Sequence, residues 1–149
     1  MKLVLTALLF LSLSWNARAS DDGMKDKLSQ FNFQETQTRL EAAIKEKGLI
    51  LFAKIDHAEG AKQAGLAMHP ATVYIFGNPK GGTPFMVAAA KSAIDFPLKA
   101  LVWENAENKV AVTNNDIHYI VARHHIAGQE DLTKKLNGVL DAIAKAATE

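Results

Sequence analysis

The stretch that decides the fold is Ala71-Thr72-Val73-Tyr74-Ile75-Phe76-Gly77-Asn78-Pro79-Lys80-Gly81-Gly82-Thr83-Pro84. Residues 71–76 alternate, with Thr72, Tyr74 and Phe76 on one side and Val73 and Ile75 on the other, which is the period of a strand. The glycines and prolines that follow read as a loop. Thr83 then suits the N-cap and Pro84 the first position of a helix running to residue 92.

Working outward, residues 49–55 read as a strand with Leu49, Leu51, Ala53 and Ile55 on one side. Asp56 caps a short helix, with Glu59 at its third position and Gly65 at its end. Before that strand, Thr38 and Glu41 form a capping box for a helix that buries Leu40, Ala43 and Ile44 and stops at Gly48. Phe31 and Phe33 alternate with polar neighbours as a weak edge strand, and residues 20–30 read as a flexible lead-in. Downstream, residues 98–104 and 109–113 form a hairpin around Asn105 and Asn108. Asp116 caps a short helix reaching Arg123. Leu132, Leu136, Leu140 and Ile143 stripe a terminal amphipathic helix over 130–147. The order predicts one α+β domain over 31–149: a two-layer sandwich, β-α-β-β-β-β-α, with a largely antiparallel sheet and helices on one face.

The N-terminus has a different character. Lys2, an apolar run over 3–13 and Ala17-Arg18-Ala19 predict a signal peptide over 1–19, because the run is too short to span a bilayer. The chain carries 17 Lys and Arg against 16 Asp and Glu. Losing Lys2 and Arg18 with the leader leaves a net charge of about −1, which argues against nucleic acid as a partner. No later segment reaches transmembrane length, so no stable membrane span is expected after cleavage, and the expected location is periplasmic or secreted. With no cysteine, the chain offers neither disulfides, thiolate metal sites nor thiol catalysis.

The chemistry-bearing residues are sparse. A helix start after Gly77, with Lys80 beside it, could hold an anion on its unpaired N–H groups; the alternative is a stiffened turn and cap. His57, His69, His118, His124 and His125 show no metal-ligand spacing. His57 and His124 suit structural places at a helix start and a helix end, while His ligation of haem or a metal is the second reading. Ser92 and Asp95 lack a nucleophile elbow, so no catalytic residue is assigned. Phe76, Phe85, Met86, Phe96 and Trp103 could line an apolar cavity or a dimer face.

Several blocks in order carry a family resemblance: Ile55-Asp56-His57-Ala58, Ile75-Phe76-Gly77-Asn78-Pro79-Lys80 with Thr83-Pro84 and Met86, residues 95–104, Asn114-Asn115-Asp116, and Ala122-Arg123-His124. On these the chain resembles the domain-of-unknown-function family 302. The resemblance implies the β-α-β-β-β-β-α two-layer fold and a tendency to pair as homodimers, and it brings no catalytic residues. The chain departs from the family pattern at Thr113-Asn114-Asn115-Asp116-Ile117 and at His125. The resulting expectation is an exported, non-catalytic homodimer that binds a small apolar or anionic ligand near Asp56, His57, Phe76, Gly77, Asn78, Lys80, Thr83, Arg123 and His124. The alternative is a haem- or metal-associated envelope protein. The sequence names no cofactor.

Overall fold

The computed structural model describes residues 22–149, so the leader read over 1–19 lies outside the described residues. The elements are β1 (Met24–Leu28), α1 (Phe33–Glu46), β2 (Ile50–Asp56), α2 (His57–Gln63), β3 (Ala71–Gly77), α3 (Pro79–Ala88), β4 (Leu98–Glu104), β5 (Val110–Asn115), α4 (Ile117–Arg123) and α5 (Glu130–Thr148). A 3₁₀ turn, Ala90–Ile94, follows α3. The five strands lie in the order β1-β5-β4-β3-β2, with every neighbouring pair antiparallel. This is the α+β sandwich expected, with α1 and α5 packed together on one face.

The alternation of β3 does what it predicts. Thr72, Tyr74 and Phe76 are fully buried, while Val73 and Ile75 stay partly exposed on the far side. Ala100 and Val102 of β4 and Val110 and Val112 of β5 join the buried face, against Leu40 and Ile44 of α1 and Leu140 and Ile143 of α5. Each such large side chain contributes about 1.5–3 kcal/mol by leaving water.

Three expectations need correction. The lead-in contains β1, which pairs with β5; its charged residues hid it, because Lys25 and Lys27 turn toward α5 and meet Asp141 and Glu149 at 3.4 and 2.7 Å. Phe33 opens α1 instead of continuing a strand. Asn32 is the cap, its Oδ1 accepting from the Glu35 N–H at 2.9 Å, and Thr38 lies inside the helix with its hydroxyl donating to the Gln34 carbonyl. In β2 the register slips between Leu51 and Ala53, so Leu51 sits opposite Phe76 on the helix side while Ala53 and Ile55 sit opposite Ile75 and Val73 on the other. A bulge inserts one residue and inverts the alternation, so the four residues do not share a side.

Candidate functional site

An apolar concavity lies where β3 runs into α3. The expected loop is helical from Pro79 onward, and Thr83 is not the cap. Asn78 takes that place: its Oδ1 accepts from the Lys80 N–H at 2.9 Å and its carbonyl accepts from the Gly81 and Gly82 N–H groups at 2.9 and 3.2 Å. Pro79, with no N–H to satisfy, fits the first helical position. The donors an anion would need are therefore already engaged within the turn.

The glycines at this junction supply space. None of Gly77, Gly81 and Gly82 has a positive φ. A Cβ on Gly77 would stand 3.7 Å from Pro97 and 3.8 Å from Phe52, one on Gly81 3.5 Å from Leu136, and one on Gly82 3.7 Å from both Met86 and Phe96. Their bare backbones thus form part of the lining of a hollow of about 280 Å³. Phe52 on the β2 bulge, Leu49 and Leu136 of α5 complete its apolar walls, with Asn78 and Thr83 as polar groups; no lining residue is ionisable. Phe96 is held by stacking on the fully buried Phe85, with ring centroids 5.4 Å apart.

Behind the Phe96-Pro97 wall lies a compact charged cluster. The Asp95 carboxylate meets His124 Nε2 at 2.6 Å and accepts from Arg123 Nη1 at 3.1 Å. The Lys99 ammonium donates to the carbonyls of Asp95 and Pro97 at 3.2 and 3.0 Å. Burial lowers the pKa of Lys99, and the Asp95 charge works against that. Ser92 is buried with no hydrogen-bond partner for its hydroxyl, so it does not join Asp95 and His124 as a triad.

The nine candidate residues separate accordingly. Gly77, Asn78 and Thr83 line the hollow. Lys80 is exposed and outside the lining, and Phe76 is sealed in the core. Arg123 and His124 brace the wall through Asp95. Asp56 and His57 are not brought to the site: Ile50 pairs with Gly77 at one end of β2 and Asp56 with Thr72 at the other, about 20 Å away at ~3.3 Å per residue. Sequence reasoning missed Phe52, Pro97 and Leu136, which arrive from distant elements; Gly82 lies in the glycine and proline loop the sequence points to, but was not singled out, although its lack of a Cβ is the local signal. Among the described residues no three His, Cys, Asp or Glu side chains gather as a metal would require. His57, His69, His118 and His125 are separately exposed.

A family model described as "Domain of unknown function DUF302" matches residues 25–146. "Fluoride-specific ion channel FluC 1" of Brucella suis biovar 1 (strain 1330) is 36% identical over 115 residues, 77% of this chain and 45% of that protein. The FluC 1 protein of Brucella abortus biovar 1 (strain 9-941) shows 36% identity over 115 residues, covering 43% of its length. The chain thus spans less than half the length of these curated relatives. The crystal structure of an uncharacterised conserved DUF302 protein from Bacillus stearothermophilus superposes with a TM-score of 0.76 at 15% identity, covering 85% of this chain and 98% of that one, which shows the shared fold.

Proposed function

The chain belongs to the DUF302 family, and from that premise we propose a non-catalytic, exported, homodimeric domain that holds a small neutral apolar ligand in the hollow beside α3. The observation that carries this reading is the combination of three Cβ-free positions with walls that contain no charge. The hollow is a surface cleft whose apolar walls stay unfilled because three bordering positions carry no Cβ. At about 280 Å³ it falls just below the usual range of ligand sites, about 300–1,000 Å³, which suits only a small ligand. An apolar body would gain by leaving water, while Asn78 and Thr83 would orient one polar atom. The saturated first turn of α3 favours a neutral ligand over an anionic one.

Fluorescence titration with the neutral probe N-phenyl-1-naphthylamine tests this. Saturable binding that inorganic phosphate does not displace supports the proposal. No binding, or displacement by phosphate, contradicts it. An absorbance spectrum and metal analysis of protein from its native compartment test the haem or metal alternative.

A second reading comes from the relatives. Proteins named as fluoride-specific channels carry a similar stretch in under half their length. No helix among the described residues is long and apolar enough to cross a membrane. On this reading the domain is an accessory to fluoride handling outside any pore. Unchanged fluoride sensitivity in a strain lacking the protein would remove it.

A further inference from the structure

The two faces of the sheet are unlike. α1 and α5 cover one. On the other, Ile55, Val73, Leu101 and Thr113 form a row across β2, β3, β4 and β5, with Asp26 of β1 at its end. Ile55 is 45% exposed, and Val73, Leu101 and Trp103 are partly exposed. The charged residues on this face are Asp26 and Lys99, and the Lys99 ammonium is drawn aside onto two backbone carbonyls. The indole Nε1 of Trp103 donates to Thr113 Oγ1 at 2.7 Å, and that hydroxyl donates to Asp26 Oδ1 at 2.6 Å. The indole and hydroxyl donors at the middle of the face are thus satisfied by one another. Covering the indole and the hydroxyl leaves no orphaned donor, while the Asp26 carboxylate is exposed on the edge strand, where it can stay in water at the rim.

We propose that this face is the contact between two copies of the chain. Five strands at ~4.8 Å spacing, each of about six residues at ~3.3 Å, project to roughly 24 by 20 Å, or about 480 Å². That is the scale at which an exposed patch marks an interaction surface. The relief of its side chains carries the accessible area toward the ~800 Å² per partner of a standard interface. A small ligand covers only a fraction of this. A pleated face is best matched by another packed about 10 Å away with strands aligned within ~30°. A second copy supplies one of the same size and internally satisfied chemistry. A net charge near zero, +1 for the whole chain and about −1 without the leader, gives two copies little reason to repel.

This inference rests on the homodimeric part of the proposed function and is independent of the hollow. Native mass spectrometry of the purified protein should give a dimer mass at micromolar concentration. Leu101→Lys and, independently, Val73→Lys should give monomers with an unchanged far-ultraviolet circular dichroism spectrum. Folded variants that both remain dimeric overturn the assigned face and leave the dimer standing, whereas a monomeric wild type overturns both. Should the lysine variants fail to fold, the absence of native cysteine allows Leu101→Cys to carry one nitroxide per chain. A single interspin distance of roughly 10–20 Å, set by the ~10 Å sheet separation, supports the contact. A dimer with no dipolar coupling refutes it.

Discussion

Two strand-to-helix junctions in this molecule are written alike and built differently. After β2, Asp56 caps α2, its Oδ1 accepting from the Glu59 N–H at 3.0 Å. After β3, Asn78 caps α3 through the Lys80 N–H at 2.9 Å. Both are strands followed by an Asx cap, and both carry candidate site residues in the sequence. Yet α2 buries none of its residues, and its junction lies open to solvent. At Asn78, Gly81, Gly82, Phe52, Phe96 and Leu136 surround the cap with an apolar hollow. A cap ends a helix; a site needs neighbours that stop short of filling the space beside it.

The largest effect expected on the Asn78 side is on stability. Phe85 is fully buried and stacks on Phe96, so Phe85→Ala should cost about 3–5 kcal/mol in urea unfolding. His57→Ala at the other junction, exposed and uninvolved in the core, should stay within about 0.5 kcal/mol. Equal losses at the two would mean that the junctions are not the contrast described.

Next comes binding. Gly82→Leu projects a side chain into the hollow from a point 3.7 Å from Met86 and Phe96. Probe affinity should fall tenfold or more, about 1.4 kcal/mol, while the helix loses nothing by replacing a glycine. Gly60→Leu in α2, where nothing lies within 4 Å of an added Cβ, should leave affinity unchanged. An unaltered affinity in Gly82→Leu would place the probe elsewhere.

The caps themselves give a smaller effect. Asp56→Ala and Asn78→Ala should each cost roughly 1 kcal/mol, with only the second altering probe affinity.

A third junction of the same kind sharpens the comparison through pH. Asp116 caps α4 by accepting from the His118 N–H at 2.8 Å, and its carboxylate also accepts from Asn137 Nδ2 at 2.9 Å. Burial works to raise its pKa, but the hydrogen bonds from Asn137 and the His118 N–H, with the charge of Lys25, prevail and hold it below the usual carboxylate range. A depressed folded pKa makes the contribution full above the unfolded carboxylate value and loses it as pH falls through the folded one. The stability gap between wild type and Asp116→Asn should therefore be full above the ordinary carboxylate range, begin to shrink as pH falls through that range, and be lost once pH passes the folded value. A gap independent of pH would deny Asp116 that role.

Much of the fold was legible where a local pattern and the packing agree. The alternation in 71–76, the hairpin around Asn105 and Asn108, and the stripe of 130–147 all report a buried face directly. β1 was illegible because Lys25 and Lys27 pack toward acidic partners on α5, so charge stands where an apolar residue would have signalled a strand. The β2 bulge was illegible because alternation carries no mark of an inserted residue. For the site, the sequence led to Gly77, Asn78 and Thr83 because glycine and proline are visible punctuation. It also led to Asp56 and His57, since a cap reads the same whether the concavity beside it has uncharged apolar walls or, as along Asp56, Glu59 and Lys62, is open and edged with charge. Pro97 and Leu136 reach the hollow only through tertiary packing, which no short window of sequence contains.

If the hollow beside α3 receives a neutral apolar ligand, the glycines that border it should report binding. An amide nitrogen–proton correlation titration with N-phenyl-1-naphthylamine tests it most directly. The signals of Gly77, Gly81, Gly82 and Leu136 should move together and saturate, while those of Glu59 and Gly60 stay in place. Stationary glycine signals at saturating probe, or movement confined to the Asp56 junction, would contradict the account.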